Sequence, residues 1–447
     1  MGESREMTSS ASLSQEQQRY FEAARALLDS EKLKDLLFRL TDIHSPTGST
    51  QEACSMMVGH IRDTLSVDAK VLSMAGESAA GYARLKGEGG GANLLLYAPI
   101  DTHLEGDDSD IPWIGPQVTA DLLPEAKIVD DWVFGLGSSN PKAMVATLAE
   151  VFRCVREANV PLLGDLSLGF ADGGMPVTIP ERGNAGMSHG ILHLLNRGGS
   201  PDFCIIMKPW NWIYHEEPGM AWFKVTVWGS LGYAGVPRGT PGFRSSIVPA
   251  AKVILALEDW LPTYTERNTS GIVRPDGWIS ALRSGWPERP AFPSAATEIF
   301  FDVRVNPRTS PAEVNAQVDQ FLRGLLAQDT ELEMQWEMYG STPGGSTPES
   351  SWIVQSARRA WEQVEGRQYP DVPDLLGGQT DGSLLRALGV PTVRMGWPWP
   401  AEGAPEEVAE GLGGMGATYI PDLLPCAEKI LWSVIDTCMR PRSDVLP

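Results

Sequence analysis

Histidine, paired cysteine and positive charge are all scarce in this chain. Six His are spread over 447 residues, too few and too scattered to advertise a His-rich metal site. The five cysteines (Cys54, Cys154, Cys204, Cys426 and Cys438) are odd in number and show no C-x-x-C pair, so neither a disulfide framework nor a zinc ribbon is expected. Lys and Arg total 36 against 57 Asp and Glu, for a formal charge of −21. That surplus repels nucleic acid and anionic membrane surfaces, and neither is expected as a partner. No run of 18 apolar residues and no basic-then-apolar leader pattern occurs, so the expectation is a soluble, cytoplasmic protein. Repeats and low-complexity tracts are missing too. What is present is a globular composition, 42% hydrophobic and 21% charged, in a chain long enough for two or more domains.

The apolar run 94–97 reads as a buried strand, and Asp101, Thr102 and His103 lie on the loop after it. Gly135-Leu136-Gly137 then turns the chain into a helix that begins near Pro141. Helical spacing also runs through 15–40, 49–65, 142–158 and 190–195, and buried strand-like runs occupy 166–171 and 203–207. Strands alternating with helices imply an α/β fold, a mainly parallel sheet sandwiched by helices. Ligands of such folds collect where loops leave the carboxyl ends of strands. The loops to inspect are therefore those carrying Asp101, Asn140, Asp172 and Lys208.

Near Gly219 the pattern changes to alternating strands (222–228 and 298–305) and amphipathic helices (248–260 and 311–326), a β-α-β-β-α-β-like insert. The expected domains are residues 1–217 with 333–447, and an inserted α+β domain at 218–332. The larger domain is expected to resume with a helix over 352–364, the loop 377–381, a strand over 390–395 and a last helix from Leu423.

The two central loops resemble those of the aminoacylase, carboxypeptidase G and succinyl-diaminopimelate desuccinylase group of zinc amidohydrolases. Its first loop reads H-x-D-T and its second G-x-G-x-x-D-x-K-G. Here they read Pro99-Ile100-Asp101-Thr102 and Gly135-Leu136-Gly137-Ser138-Ser139-Asn140-Pro141-Lys142-Ala143. Ser45-Pro46-Thr47-Gly48 and Gly377-Gly378-Gln379-Thr380-Asp381 resemble two further signatures of that group, and the likeness covers nearly the whole chain after Gln15. It implies a zinc-exopeptidase-like main domain, a ferredoxin-like lid and a homodimer formed through that lid. It also implies five positions for zinc ligands, which hold Pro99, Asn140, Gly173-Gly174 after Asp172, Lys208 and, near the C-terminus, Gly414. The lid His that stabilises an oxyanion falls at Tyr233. None of these is a His or a carboxylate, so no metal and no cofactor is expected.

The leading expectation is a metal-independent hydrolase or lyase acting on a C–N or amide bond of a small amino-acid-like or aromatic compound. Asp101, Lys208, His215, Tyr233, Asn140, His103 and Asp172 are its candidate catalytic groups, with Lys208 supplying the cation that zinc would have been. Trp210, Trp212 and Trp397 are candidates for an aromatic wall; Arg244, Arg304, Thr380 and Asp381 are candidates to hold polar parts of a substrate. Two alternatives stay open: a non-catalytic binding protein, and a metallohydrolase rebuilt on Asp101, His103 and Asp172.

Overall fold

The computed structural model describes residues 12–115, 118–183, 185–370, 377–399, 402–403, 405 and 415–446. Gly414 lies outside them. By contact density the chain divides into two units: Met1–His215 with Thr347–Asp371 and Val390–Pro447, and Glu216–Ser346 with Val372–Gly389.

The first unit is built on a seven-stranded sheet. Its order is Asp68–Ser73, Ala79–Leu85, Leu166–Ala171, Leu94–Pro99, Phe203–Met207, Thr392–Met395 and Ile213–Tyr214. The four strands from Leu166–Ala171 to Thr392–Met395 run parallel, and the outer ones are antiparallel. Every residue of the four parallel strands is buried, which explains why their sequences are continuous apolar runs and not alternating ones. Helices flank the sheet; Met144–Glu157 and Ile420–Cys438 are buried along most of their length. The helical pattern read over 15–40 is two helices, Gln15–Arg25 and Ser30–Thr41. Asp29 breaks it by accepting the backbone N–H groups of Glu31 and Lys32, an N-cap worth about 1 kcal/mol.

The second unit holds a four-stranded antiparallel sheet in the order Gly277–Ser284, Ala296–Val305, Gly219–Trp228, Met334–Thr342. With helices Ile247–Asn268 and Pro311–Gln328 the chain order is β-α-β-β-α-β. Strict alternation in Ala296–Val305 sends Ile299, Phe301, Val303 and Val305 into a core with Phe223, Val225, Leu257 and Val318. Two of the four strands were not legible at the start. Gly277–Ser284 is an edge strand, largely exposed, and Met334–Thr342 belongs to this sheet, where the sequence had placed the return of the larger domain. The helix Asp381–Ala387 also counts with this unit, because the buried Arg386 guanidinium donates to the equally buried Glu217 carboxylate. No helix among the described residues is long and apolar enough to cross a membrane.

Candidate functional site

In the first unit, Asp101, Asp172 and Lys208 each follow the carboxyl end of a neighbouring parallel strand, about 4.8 Å apart in the sheet. Ser78, just before the antiparallel strand Ala79–Leu85, sits at the same edge beside Asp172.

Both carboxylates are fully buried, and both are enclosed by donors. Asp101 accepts the Thr47 hydroxyl at 2.6 Å and the backbone N–H groups of Gly174 and Met175 at 3.0 and 3.2 Å. Asp172 accepts the Gly48 N–H on both oxygens at 3.0 Å, and the Ser78 hydroxyl. The loop after Asp172 is thereby tied down across the strand ends, and Arg182 ties it again by donating to Thr47 O at 2.9 Å and pairing with Glu105 at 2.7 Å. Carboxylate oxygens already accepting N–H and O–H groups of the chain are poorly placed to take a proton from a reacting molecule.

Gly173 has φ 76°, and a Cβ there would meet His189 Nδ1 at 2.1 Å. The imidazole fills the space that a side chain at 173 would need. Its Nε2 lies 3.2 Å from Ser78 Oγ, and its Nδ1 lies 2.9 Å from Gly186 O. Sequence reasoning missed this cluster. His189 begins the helix His189–Asn196 and reads as an ordinary helix histidine; nothing in the sequence marks Ser78, 111 residues away from it.

The other half of the edge is different. Gly135 and Gly137, with φ of 138° and 76°, turn the chain against Thr41 and Thr102 respectively, and the backbone at Asn140 (φ −130°, ψ 108°) departs from helix. The Asn140 amide then faces Lys208, whose Nζ donates to Asn140 Oδ1 at 3.1 Å. The Asn140 amide nitrogen lies 3.1 Å from Met415 Sδ, and its backbone N–H donates to Met415 O. Two residues on, the buried Lys142 donates to Thr41 O at 3.2 Å and Ile43 O at 2.6 Å, closing the end of the helix Ser30–Thr41. Burial pushes this ammonium down to about 7.

The remaining expected residues lie as follows. His103 is half-buried on the Asp101 loop, and His215 is buried with its carbonyl accepting Thr347 N–H at 2.8 Å. Trp212 meets Tyr369 edge-on at 6.4 Å, Trp397 is buried, and Trp210 is 40% exposed. Tyr233, Arg244, Arg304, Thr380 and Asp381 belong to the second unit. There Tyr233 stands exposed against Phe292, Arg244 pairs with Glu333 at 3.1 Å and Arg304 with Asp302 at 3.0 Å. Thr380 donates to Glu217 and caps the helix that Asp381 begins. Among the described residues no three His, Cys, Asp or Glu side chains group as metal ligands. The alternative set Asp101, His103 and Asp172 is not among such groups, and both carboxylates turn oxygens to the donors named above.

No protein-family model matches the chain. Its fold nevertheless recurs in solved structures. Human carnosine dipeptidase 1 superposes with a TM-score of 0.66 at 15% identity, covering 95% of this chain and 99% of that one. An M20 family metallo-carboxypeptidase from Sulfolobus solfataricus gives 0.64 at 14% identity, over 90% and 98%. An amidase of the hydantoinase/carbamoylase family from Burkholderia multivorans gives 0.60 at 14% identity, over 93% and 99%. The fold of this chain is that of the M20-type peptidases and amidases.

Proposed function

We propose that the chain works on the amide or carboxylate of a small amino-acid-like compound without a metal, using the Lys208 ammonium at a position where the sequence resemblance implies a zinc ligand. One observation carries this reading: a buried ammonium faces an amide oxygen, Lys208 Nζ to Asn140 Oδ1, at two positions that the sequence resemblance assigns to metal ligands. An ammonium and a neutral amide do not fit a two-metal centre, and Gly173-Gly174 offers no carboxylate to one. A fixed cation aimed at a carbonyl oxygen stabilises the charge that develops there when the C–N bond is attacked. The proton chemistry would fall to His103 or His215. Purified protein assayed on a panel of N-acyl amino acids with excess chelator tests this directly. Chelator-resistant turnover that disappears in Lys208→Met is expected; turnover that needs added metal overturns the reading.

The second reading is binding without turnover. The donors that Asp101 and Asp172 accept favour it, since both carboxylates are engaged by hydroxyl and backbone N–H groups of the chain itself. Ligand binding that depends on Lys208, with no turnover of any compound in the panel, would establish this version. A homodimer through the second unit is also proposed, and light scattering that finds a monomer at micromolar concentration would end it.

A further inference from the structure

Trp210 has φ 75°, a left-handed backbone that a bulky side chain rarely adopts. Its surroundings impose it. The strand Thr392–Met395 delivers Gly396 so close that a Cβ there would lie 2.1 Å from Trp210 O and 2.2 Å from Lys208 O. Lys208 N–H donates to Met395 O at 3.1 Å, and Trp212 N–H closes the turn on Trp210 O at 2.8 Å. This backbone holds a 40% exposed indole in one place. Trp399 meets it edge to face, 5.4 Å between centroids at 89°. The buried Arg394 guanidinium lies 5.3 Å from the same ring and 5.0 Å from Tyr214, and donates to Pro209 O at 2.9 Å. A ring with a cation packed against it and a second indole at its edge is a rigid flat surface, two residues along the chain from the Lys208 ammonium. Strained backbone that persists in a fold marks functional surfaces more often than ordinary ones.

We infer that Trp210 and Trp399 form a subsite for a planar aromatic group, so that the compound facing Lys208 carries an aryl or aroyl substituent. This rests on the reading of Lys208 as the group that meets the carbonyl or carboxylate. It narrows the ligand class to N-aroyl or aryl-bearing amino-acid derivatives and disfavours short aliphatic ones.

The test uses the full chain and two probes, N-benzoylglycine and N-acetylglycine, with affinities read by calorimetry on wild type, Trp210→Gly, Trp399→Leu and Lys208→Met. Stacking of one ring predicts about tenfold tighter binding of the benzoyl probe. Trp210→Gly relaxes the backbone, since glycine accepts positive φ, and should erase the preference. Trp399→Leu should reduce the preference without the backbone change. Equal affinity of the two probes for wild type overturns the subsite and leaves the Lys208 reading standing if Lys208→Met weakens both. Tighter benzoyl binding that Trp210→Gly erases and Lys208→Met does not touch keeps the subsite and overturns the Lys208 reading. Binding of neither probe overturns both.

Discussion

The two halves of the strand edge solve the same problem in opposite ways. Around Asp101 and Asp172 the protein supplies donors of its own: backbone N–H groups from 48, 174 and 175, and hydroxyls from Thr47 and Ser78. Around Lys208 and Trp210 it sets a cation against the Asn140 amide oxygen and holds an indole partly in solvent on a strained backbone. A carboxylate enclosed by donors contributes to stability, whereas, on the proposed function, a fixed cation and a ring held on a strained backbone contribute to ligand contact. On the proposed function the first half is a lock and the second a receptor. Substitutions should therefore separate them, stability changing on one side and ligand chemistry on the other.

The largest effect expected is on the receptor side. Lys208→Met keeps the length of the side chain and removes its charge, so turnover should fall ~100- to ~1000-fold, the usual cost of one electrostatic donor. Its midpoint of urea unfolding should stay near wild type. Retained turnover in the folded variant would remove the distinction between the halves. On the lock side, Asp101→Ala leaves the Thr47 hydroxyl and the N–H groups of Gly174 and Met175 without this acceptor. That should cost ~3 kcal/mol or more of stability, measured by urea unfolding. A variant as stable as wild type would show that the enclosure is incidental. Gly173→Ala comes next, at about 2 kcal/mol: it places a methyl at φ 76° and 2.1 Å from His189 Nδ1. Adding His189→Ala should recover the steric part of that loss and leave the backbone part, and a double variant no more stable than Gly173→Ala would rule out the imidazole as the obstacle.

The lock and the receptor were unequally legible in the sequence. Continuous apolar runs exposed the central strands, so the loops bearing Asp101, Asp172 and Lys208 were found from pattern alone. The partners of those residues were not, because they come from far along the chain. Thr47 reaches Asp101 across 54 residues and Gly48 reaches Asp172 across 124. Nor does a sequence show that His189 packs into the space above Gly173, or that Gly396 forces Trp210 into a left-handed turn. The edge strand Gly277–Ser284 escaped because one of its faces has no core to face, and alternation is a signal only where burial makes it one.

Lys142 offers the finest test of the lock, because it pins the helix end from which the Thr47 and Gly48 loop departs. Burial sets its ammonium at about 7, well below the ordinary lysine value of 10.5, and Asp42 only partly opposes that shift. Below pH 7 the folded and unfolded chains both hold the proton, so their free-energy difference does not change with pH on this account. Between pH 7 and 10 the unfolded chain keeps a proton that the folded chain has released. The unfolded state then binds more protons, and stability should rise with pH, by at most ~1.4 kcal/mol per unit. Lys142→Met deletes this titration along with the bonds to Thr41 O and Ile43 O. Urea unfolding of wild type and variant at pH 7, 8 and 9 isolates the residue: the gap between them should widen steadily with pH. A constant gap would mean that the two carbonyls hold Lys142 as an ammonium throughout, making the lock's anchor a charge and not a neutral amine.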